Sequence, residues 1–386
     1  MSHASPQDHP SLVPRDAIRA LPAYSSGRDA AALRRDTGYD GPVVKLASNE
    51  GAQGPFPSAR AALEEFAPSV QRYPDAYSLP VSEALARLHG VDAKEVMVGG
   101  SGCALLAHLS SAFLDVGDEV VFGQPTFHVY RLEALRMGAI PVPVRLKTDG
   151  TYDLPALRKA IGPRTRLVYV CTPNNPTGGL VSREELAAFL DDLPPRVLPI
   201  IDEAYFEYVE HPDYPDPVRV ARPCARPVVI LRTFSKIYGL AGLRIGYVVA
   251  PETVVSTCRR IQNPYEVTRA AQVAALASLQ HPEELAHRRE QNTSGRQRLF
   301  EGLRRLGLEP LPSQANFACV HVGRAKPLAN ALEARGVIVR PLDAMGDPAG
   351  IRITVGTPEE VETFLEIVAE LLRSKQGLIA PHEVSS

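Results

Sequence analysis

No stretch of the sequence is apolar enough to form a membrane helix, which needs roughly 20 consecutive apolar residues. Residues 1–20 carry Asp8, Arg15 and Asp16 and lack an apolar core segment, so we expect no secretory signal peptide. The five cysteines form no C-x-x-C pair and have no histidines at metal-binding spacing: Cys103, Cys171, Cys224, Cys258 and Cys319. These absences predict a cytoplasmic protein without a disulfide framework and without a metal site.

The charge of the chain is nearly balanced, with a formal net charge of −2 at pH 7. A basic field that could hold nucleic acid or an anionic membrane is therefore missing. Hydrophobic residues make up 45% of the sequence and charged residues 22%, which is typical of a globular protein. We therefore expect small molecules, and neither nucleic acid nor a membrane, as binding partners.

Short β-branched segments alternate with amphipathic segments over much of the chain. The predicted strands are "EVMVG", "DEVVFG", "IPVPVRL", "TRLVYVC", "VLPIID", "PVVILRTF" and "IGYVVA". Capping boxes predict two helix starts, one at Ser182 and Glu185 and one at Thr357 and Glu360. Buried strands that alternate with helices predict an α/β fold with a mostly parallel sheet covered on both faces.

After about Ala270 the pattern changes to long helices and the strands "NFACVHV", "GVIVR" and "IRITVG". We expect a large α/β domain over residues 50–270. A smaller α+β domain would combine residues 21–49 with residues 271–375. The polar, Pro-rich residues 1–20 predict a flexible arm, and residues 376–386 a flexible tail.

The segment "RTFSKIYGLAGLRIGY" places Lys236 at the end of an apolar strand, where an amine must reach water or be held in a site. An isolated lysine here would most simply lie on the surface. Thr233, Ser235 and Arg244 change this interpretation, because hydroxyls and an arginine suit a phosphate dianion. A lysine desolvated beside them suits Schiff-base chemistry.

Two further segments place polar side chains after predicted strands. In "VYVCTPNNPTGG", two prolines flank Asn174 and Asn175; the segment is either a simple turn or a loop that aims an amide at a ligand. In "LPIIDEAYFEY", Asp202 ends a very apolar strand and is either a helix cap or the partner of a protonated ring nitrogen. Tyr205 would lie on the same side if the chain turns helically there.

The stretch "VMVGGSGCALL" joins a strand to a helix through glycines, which lets backbone amides approach a phosphate. It lacks the third glycine of a dinucleotide fingerprint. A lysine, an aspartate, an asparagine, a tyrosine and a phosphate cup together match one cofactor, pyridoxal 5′-phosphate. The residues therefore predict this cofactor.

The order of these blocks resembles the fold-type I aminotransferases. More narrowly, "GGSGCAL", "QPTFHVY", "TPNNPTG", "IIDEAY", "RTFSKIYGLAGLRIGY" and "IRITVGT" are similar to the histidinol-phosphate aminotransferase branch and its aromatic amino acid aminotransferase relatives. The resemblance runs from about Tyr24 to Leu372. It departs from the family pattern at "NEGAQG" (residues 49–54) and at Cys103 and Ala104, which replace two acidic residues. These departures weaken the histidinol-phosphate assignment.

The resemblance implies a role for each matched residue in cofactor binding. Lys236 would be the Schiff-base lysine and proton shuttle, Asp202 the partner of the pyridine nitrogen, and Asn175 and Tyr205 donors to the phenolate oxygen. Phe127 would stack on the ring. The phosphate cup would comprise Ser101, Gly102, Cys103, Thr233, Ser235 and Arg244. Tyr73 would reach the phosphate of a neighbouring subunit, which implies a homodimer with shared active sites, although a turn-flanking aromatic is also plausible.

The resemblance also implies substrate-binding residues. Arg352 matches the position that binds an acidic group, Arg340 a second anion-binding position, and Tyr24 a substrate-contacting tyrosine. His128, which follows Phe127, is either a determinant of substrate choice or a surface residue.

We therefore predict a homodimeric aminotransferase that moves an amino group between an aromatic amino acid or histidinol phosphate and a 2-oxo acid such as 2-oxoglutarate. Other chemistry on the same fold (a lyase, decarboxylase or oxidase) and a non-enzymatic cofactor-binding module are the alternatives.

Overall fold

The computed structural model describes residues 13–19, 21, 28–212, 214, 216, 218, 221, 224 and 226–374. The predicted N-terminal arm lies mostly outside these residues, and the predicted tail and Tyr24 lie wholly outside them. The strands in chain order are β1 (Val44–Lys45), β2 (Val96–Gly99), β3 (Glu119–Gln124), β4 (Ile140–Arg145), β5 (Thr165–Cys171), β6 (Leu198–Asp202), β7 (Val229–Thr233), β8 (Gly246–Val249), β9 (Phe317–His321), β10 (Val337–Ile338), β11 (Arg340–Leu342) and β12 (Asp347–Thr354).

Helices pack around these strands and connect most of them. In chain order they are α1 (Asp16–Arg19), α2 (Ala30–Thr37), α3 (Pro57–Phe66), α4 (Leu79–His89), α5 (Gly102–Phe113), α6 (Val129–Met137), α7 (Leu154–Ala160), α8 (Arg183–Asp192), α9 (Glu252–Arg259), α10 (Arg269–Gln280), α11 (Pro282–Arg305), α12 (Ala325–Glu333) and α13 (Pro358–Arg373). The predicted capping boxes are confirmed at the starts of α8 and α13.

Seven strands form the central sheet, in the order β2-β8-β7-β6-β5-β3-β4. Strand β8 is antiparallel to both of its neighbours, and the pairs from β7 to β4 are parallel. All residues of β2, β6, β7 and β8 are buried, as expected for a sheet covered on both faces. Strand β4, which carries Pro141 and Pro143, lies at an edge, where a missing backbone donor is tolerated. The predicted α/β class and its mostly parallel sheet are confirmed.

A second, smaller sheet has the antiparallel order β11-β12-β9. The segment "GVIVR", predicted as one strand, is divided between β10 and β11, because Val337 and Ile338 pair with β1 whereas Arg340 pairs with β12. The pairing of β1 with β10 joins an N-terminal segment to the C-terminal third of the chain.

Buried apolar side chains form two large clusters. The first surrounds the seven-stranded sheet and extends from Phe56 to Phe317. The second contains Leu46 and buried residues between Leu299 and Leu371, on α11, α12, α13 and the smaller sheet. Two such cores agree with a large and a small domain, whose exact boundaries stay a prediction.

Candidate functional site

Most of the predicted site residues lie at one edge of the central sheet, where several strands end. In the register of the sheet, Gly99 and Thr233 both lie opposite Gly246, and Cys171 pairs with Asp202. A cleft of about 360 Å³ lies at this edge. Its lining includes ten of the residues predicted from sequence: Gly102, Cys103, Phe127, Asn175, Asp202, Tyr205, Thr233, Ser235, Lys236 and Arg244. Ends of parallel strands are the usual ligand sites of open α/β sheets.

The amine of Lys236 lies in this cleft, just beyond the end of β7. Its Nζ donates to the backbone oxygen of Ser48 at 3.2 Å. Burial and then the nearby positive charge of Arg352 lower the pKa of Lys236 from 10.5 to about 8. A larger fraction of the amine is therefore uncharged near neutral pH, which is the form that attacks a carbonyl carbon.

Asp202 ends β6 and is buried against two hydrogen-bond donors. The hydroxyl of Tyr130 donates to Oδ2 at 2.6 Å, and the amide of Ala204 donates to Oδ1 at 3.1 Å. Burial raises the pKa of Asp202, while both donors oppose that rise. The adjacent Glu203 instead accepts from Arg232, whose Nε lies 3.0 Å from Oε2, so the two carboxylates have different partners.

Tyr205 precedes a single 3₁₀ turn, Phe206–Tyr208, so the chain does turn helically after Asp202. The side-chain amide of Asn49 donates to the Tyr205 hydroxyl oxygen at 2.8 Å. The Tyr205 hydroxyl hydrogen can therefore be donated to a ligand in the cleft. Asn49 itself has a positive φ of 54° and is bound through Thr354 and Asn316, which fixes its amide.

The N-terminus of α5 faces the cleft and is capped by Ser101, whose hydroxyl accepts from the Ala104 amide at 3.1 Å. The amides of Gly102 and Cys103 belong to the first turn, which has no intrahelical acceptors, and these amides suit an anion. Ser101 has a φ of 150°, a region that few residues other than glycine adopt.

Hydroxyls and an arginine border the same part of the cleft. Thr233 Oγ1 lies 2.9 Å from Ser235 Oγ, and both side chains are buried. Arg244 lines the cleft with its backbone in the left-handed region, at a φ of 58°. The helix N-terminus, two hydroxyls and a guanidinium, which we call the anion cup, are groups that suit a dianion.

Arg352 is buried beside Asn175. Its guanidinium donates to the Asn175 side-chain oxygen and, through Nη2, to the backbone oxygen of Ala47 at 2.6 Å. Arg340 is the cross-strand neighbour of Arg352 on β11. Burial, then Arg340 and then Arg352 lower the pKa of His128 to about 4, so its imidazole is neutral at neutral pH. The structure thus brings both predicted anion-binding arginines near His128.

Tyr73 does not line the cleft of its own chain. It is 81% exposed and stacks on Tyr265, with ring centroids 4.7 Å apart. Val70, Tyr77 and Ile261 are also exposed in these two parts of the chain.

Three contacts at the site were missed by the sequence analysis: those of Ser48, Asn49 and Tyr130. Asn49 and Ser48 lie about 150 or more residues from their partners in the chain, so no local pattern signals them. Tyr130 stands three residues after Phe127 at the start of α6, and this helical spacing was its only available signal.

Two further features are absent from the described ranges of the chain. No helix there has the length and apolar character needed to cross a membrane. In the same part of the chain, no cluster of three or more histidine, cysteine, aspartate or glutamate side chains could hold a metal ion.

Residues 41–368 match the family model for aminotransferase class I and II. The chain is 40% identical over 361 residues to the histidinol-phosphate aminotransferase of Moorella thermoacetica, covering 93% of this chain and 92% of that one. It is 40% identical over 352 residues to the aromatic amino acid aminotransferase of Mycolicibacterium vanbaalenii, covering 91% and 96%.

Solved structures share the fold. The histidinol-phosphate aminotransferase of Sinorhizobium meliloti in complex with pyridoxal-5′-phosphate superposes with a TM-score of 0.84 at 29% identity, over 94% of this chain and 99% of that one. A Thermus thermophilus aspartate aminotransferase variant superposes with a TM-score of 0.82 at 26% identity, over 93% and 100%.

Proposed function

The chain belongs to the class I and II aminotransferases and uses pyridoxal 5′-phosphate, and we propose that its amino donor is histidinol phosphate or an aromatic amino acid and its acceptor 2-oxoglutarate. Family membership confirms the resemblance, the fold type, the cofactor and the transaminase activity expected from the sequence. The observation that carries the proposal is one cleft containing the Lys236 amine, the Asp202 carboxylate and an anion cup.

The side chains of the cleft fit the cofactor. A dianion cup at the start of α5 suits its phosphate, and the buried carboxylate of Asp202 suits a protonated ring nitrogen. The hydroxyl of Tyr205, already accepting from Asn49, and the amide of Asn175 suit the phenolate oxygen. Phe127 also lines the cleft, where it would stack on the ring.

When bound, pyridoxal 5′-phosphate supplies an electron sink for the electrons left at the donor's amino-bearing carbon. Lys236 would hold the cofactor through its amine, which its lowered pKa leaves partly uncharged. When not bonded to the cofactor, the Lys236 amine would accept the proton of the donor's amino-bearing carbon and return it later in the reaction. Asp202, as a carboxylate, would hold the proton on the ring nitrogen.

The two arginines suit the anionic groups of donor and acceptor. Arg352 is held by Asn175 and the Ala47 carbonyl, an arrangement that orients a guanidinium for a carboxylate or phosphate. Arg340 would bind a second anion, such as the phosphate of histidinol phosphate or the distal carboxylate of 2-oxoglutarate. The neutral His128 beside them would contact the donor side chain. The similarity to both kinds of relative supports this donor class.

The exposed aromatic patch at Tyr73 and Tyr265 supports a homodimer with shared sites. An exposed apolar patch of this kind is typical of an interaction surface. In such a dimer, Tyr73 would reach the anion cup of the neighbouring subunit. A cytoplasmic location stays a prediction from cysteine usage.

The donor proposal is tested with a panel of histidinol phosphate, phenylalanine and aspartate, each with 2-oxoglutarate. We expect kcat/KM for histidinol phosphate or phenylalanine to exceed that for aspartate by at least about tenfold. In Arg340→Gln, kcat/KM should fall more for histidinol phosphate than for phenylalanine, because only the former carries a phosphate. A preference for aspartate in the wild-type enzyme would contradict the proposed donor class.

A further inference from the structure

Tyr130 makes a shorter hydrogen bond to Asp202 than the Ala204 amide does. Its hydroxyl lies 2.6 Å from Oδ2, and the other carboxylate oxygen accepts from the Ala204 amide at 3.1 Å. Tyr130 is completely buried and Asp202 nearly so. A hydrogen bond to a charged acceptor in such surroundings is stronger than one in water.

Aromatic neighbours hold the Tyr130 ring in place. It stacks on Tyr169 with ring centroids 4.4 Å apart and planes 6° from parallel. Phe127 meets it edge-on at 5.7 Å, and Phe122 packs against it at 6.4 Å. Because the ring is fixed on several sides, its hydroxyl is held toward Asp202.

Burial determines which partner of the Tyr130–Asp202 pair carries the hydrogen. Burial raises the pKa of Tyr130 well above its ordinary value, so the phenol keeps its hydrogen and acts as the donor. Burial alone would also raise the pKa of Asp202 and favour its neutral form, an effect that the Tyr130 hydrogen bond opposes. Loss of the hydroxyl would therefore leave a carboxyl that takes up a proton more readily.

We propose that Tyr130 is a positioning residue that keeps Asp202 ionised and fixes the orientation of its carboxylate toward the ring nitrogen of the cofactor. This inference rests on the role of Asp202 in the proposed function. Tyr130, on α6, would thereby influence the protonation of the ring nitrogen without contacting the cofactor itself. Phe127, three residues earlier on the same segment, links the Tyr130 ring to the residue expected to stack on the cofactor.

The test compares Tyr130→Phe with Tyr169→Phe, a matched control. Tyr169 is equally buried and stacked, but its hydroxyl lies 3.4 Å from the Ser110 hydroxyl and not at Asp202. Apoprotein is titrated with pyridoxal 5′-phosphate and with the analogue in which carbon replaces the ring nitrogen. We expect Tyr130→Phe to bind pyridoxal 5′-phosphate about ten- to a hundredfold more weakly, with unchanged affinity for the analogue. Tyr169→Phe should change neither affinity.

A pH titration of the visible absorbance of the bound cofactor gives a second readout. The midpoint of this titration should shift to higher pH in Tyr130→Phe, because a less protonated ring is a weaker electron-withdrawing group. It should stay in place in Tyr169→Phe. The proposal would be overturned if Tyr130→Phe lowered the affinity for pyridoxal 5′-phosphate and for the analogue equally, or lowered neither. Neither of these results bears on the transferase activity itself, which is measured by amino transfer in the wild-type enzyme.

Discussion

The amine of Lys236 is kept reactive by its surroundings rather than by any base bonded to it in the described structure. Its Nζ donates to a backbone oxygen of Ser48, and its pKa is lowered by burial and by Arg352. The same two causes that prepare the amine for bond formation disfavour its charged form in the folded apoprotein. Function and stability are therefore coupled at this residue.

Replacing Lys236 with methionine should make the free energy of unfolding of the apoprotein less dependent on pH between about 8 and 10.5. The folded pKa of about 8 lies below the unfolded value of 10.5, so the lysine destabilises the native state most below pH 8. That penalty disappears as the pH rises through 8 toward 10.5. Urea unfolding across this range should show the largest stabilisation of Lys236→Met below pH 8 and a shrinking difference above it.

A difference in unfolding free energy that is independent of pH would contradict this account. The lost hydrogen bond to Ser48 contributes a constant offset and does not change the slope.

At the residue scale, the sequence predicted those cleft residues that stand together in short segments. The segments around Lys236, Asp202 and Arg244 carry their polar groups directly after strands, and the structure brings these groups into one cleft. Sequence reasoning failed for Tyr130 and Asn49, because their partners are set by how distant segments pack. Whether each cleft residue has its expected role stays a prediction.

Among the elements, the loop between β7 and β8 depends on a glycine that approaches another backbone segment. Gly239 has a φ of +70°, and a Cβ there would lie 2.0 Å from the backbone oxygen of Gly54. Gly242, in the same loop, has nothing within 4 Å of its Cβ position. A side chain is therefore sterically excluded at Gly239 but can be accommodated at Gly242.

Gly239→Ala should lower the free energy of unfolding by about 2 kcal/mol or more, because backbone atoms cannot yield to the added methyl group. Gly242→Ala serves as the matched control and should change it by less than about 0.5 kcal/mol. Denaturant unfolding of both variants checks this. Equal stability of the two would show that the Gly54 contact does not constrain the loop.

Strand positions could be predicted well from sequence because buried parallel strands are continuous apolar runs with clear ends. Each of the seven segments predicted for the first part of the chain lies in the central sheet. The division of "GVIVR" between β10 and β11 could not be predicted, because it depends on the pairing of β10 with the distant β1. Propensity alone does not show which partner a short strand takes.

For the whole molecule, shared active sites would make catalysis depend on assembly. Tyr73 is exposed in the single chain, and the resemblance implies that it reaches the phosphate bound by a neighbouring subunit. We expect Tyr73→Ala to weaken cofactor binding, and Lys236→Ala to abolish turnover. Subunit exchange between these variants would form hybrid dimers with one wild-type site.

Activity of the mixture after subunit exchange should therefore exceed the sum of the separate variants. Light scattering should give a mass near twice the 41.8 kDa of the chain. A mixture no more active than its components would show that Tyr73 does not serve the partner's site.

The most direct test of the central claim is transfer of a nitrogen label. Donor labelled with ¹⁵N at its amino group is incubated with 2-oxoglutarate, the enzyme and pyridoxal 5′-phosphate, and the products are analysed by mass spectrometry. The account predicts ¹⁵N-glutamate in equal amount to the ketone or 2-oxo acid formed from the donor for the wild-type enzyme and none for Lys236→Ala. Release of ¹⁵N-ammonia or of carbon dioxide without labelled glutamate would contradict it.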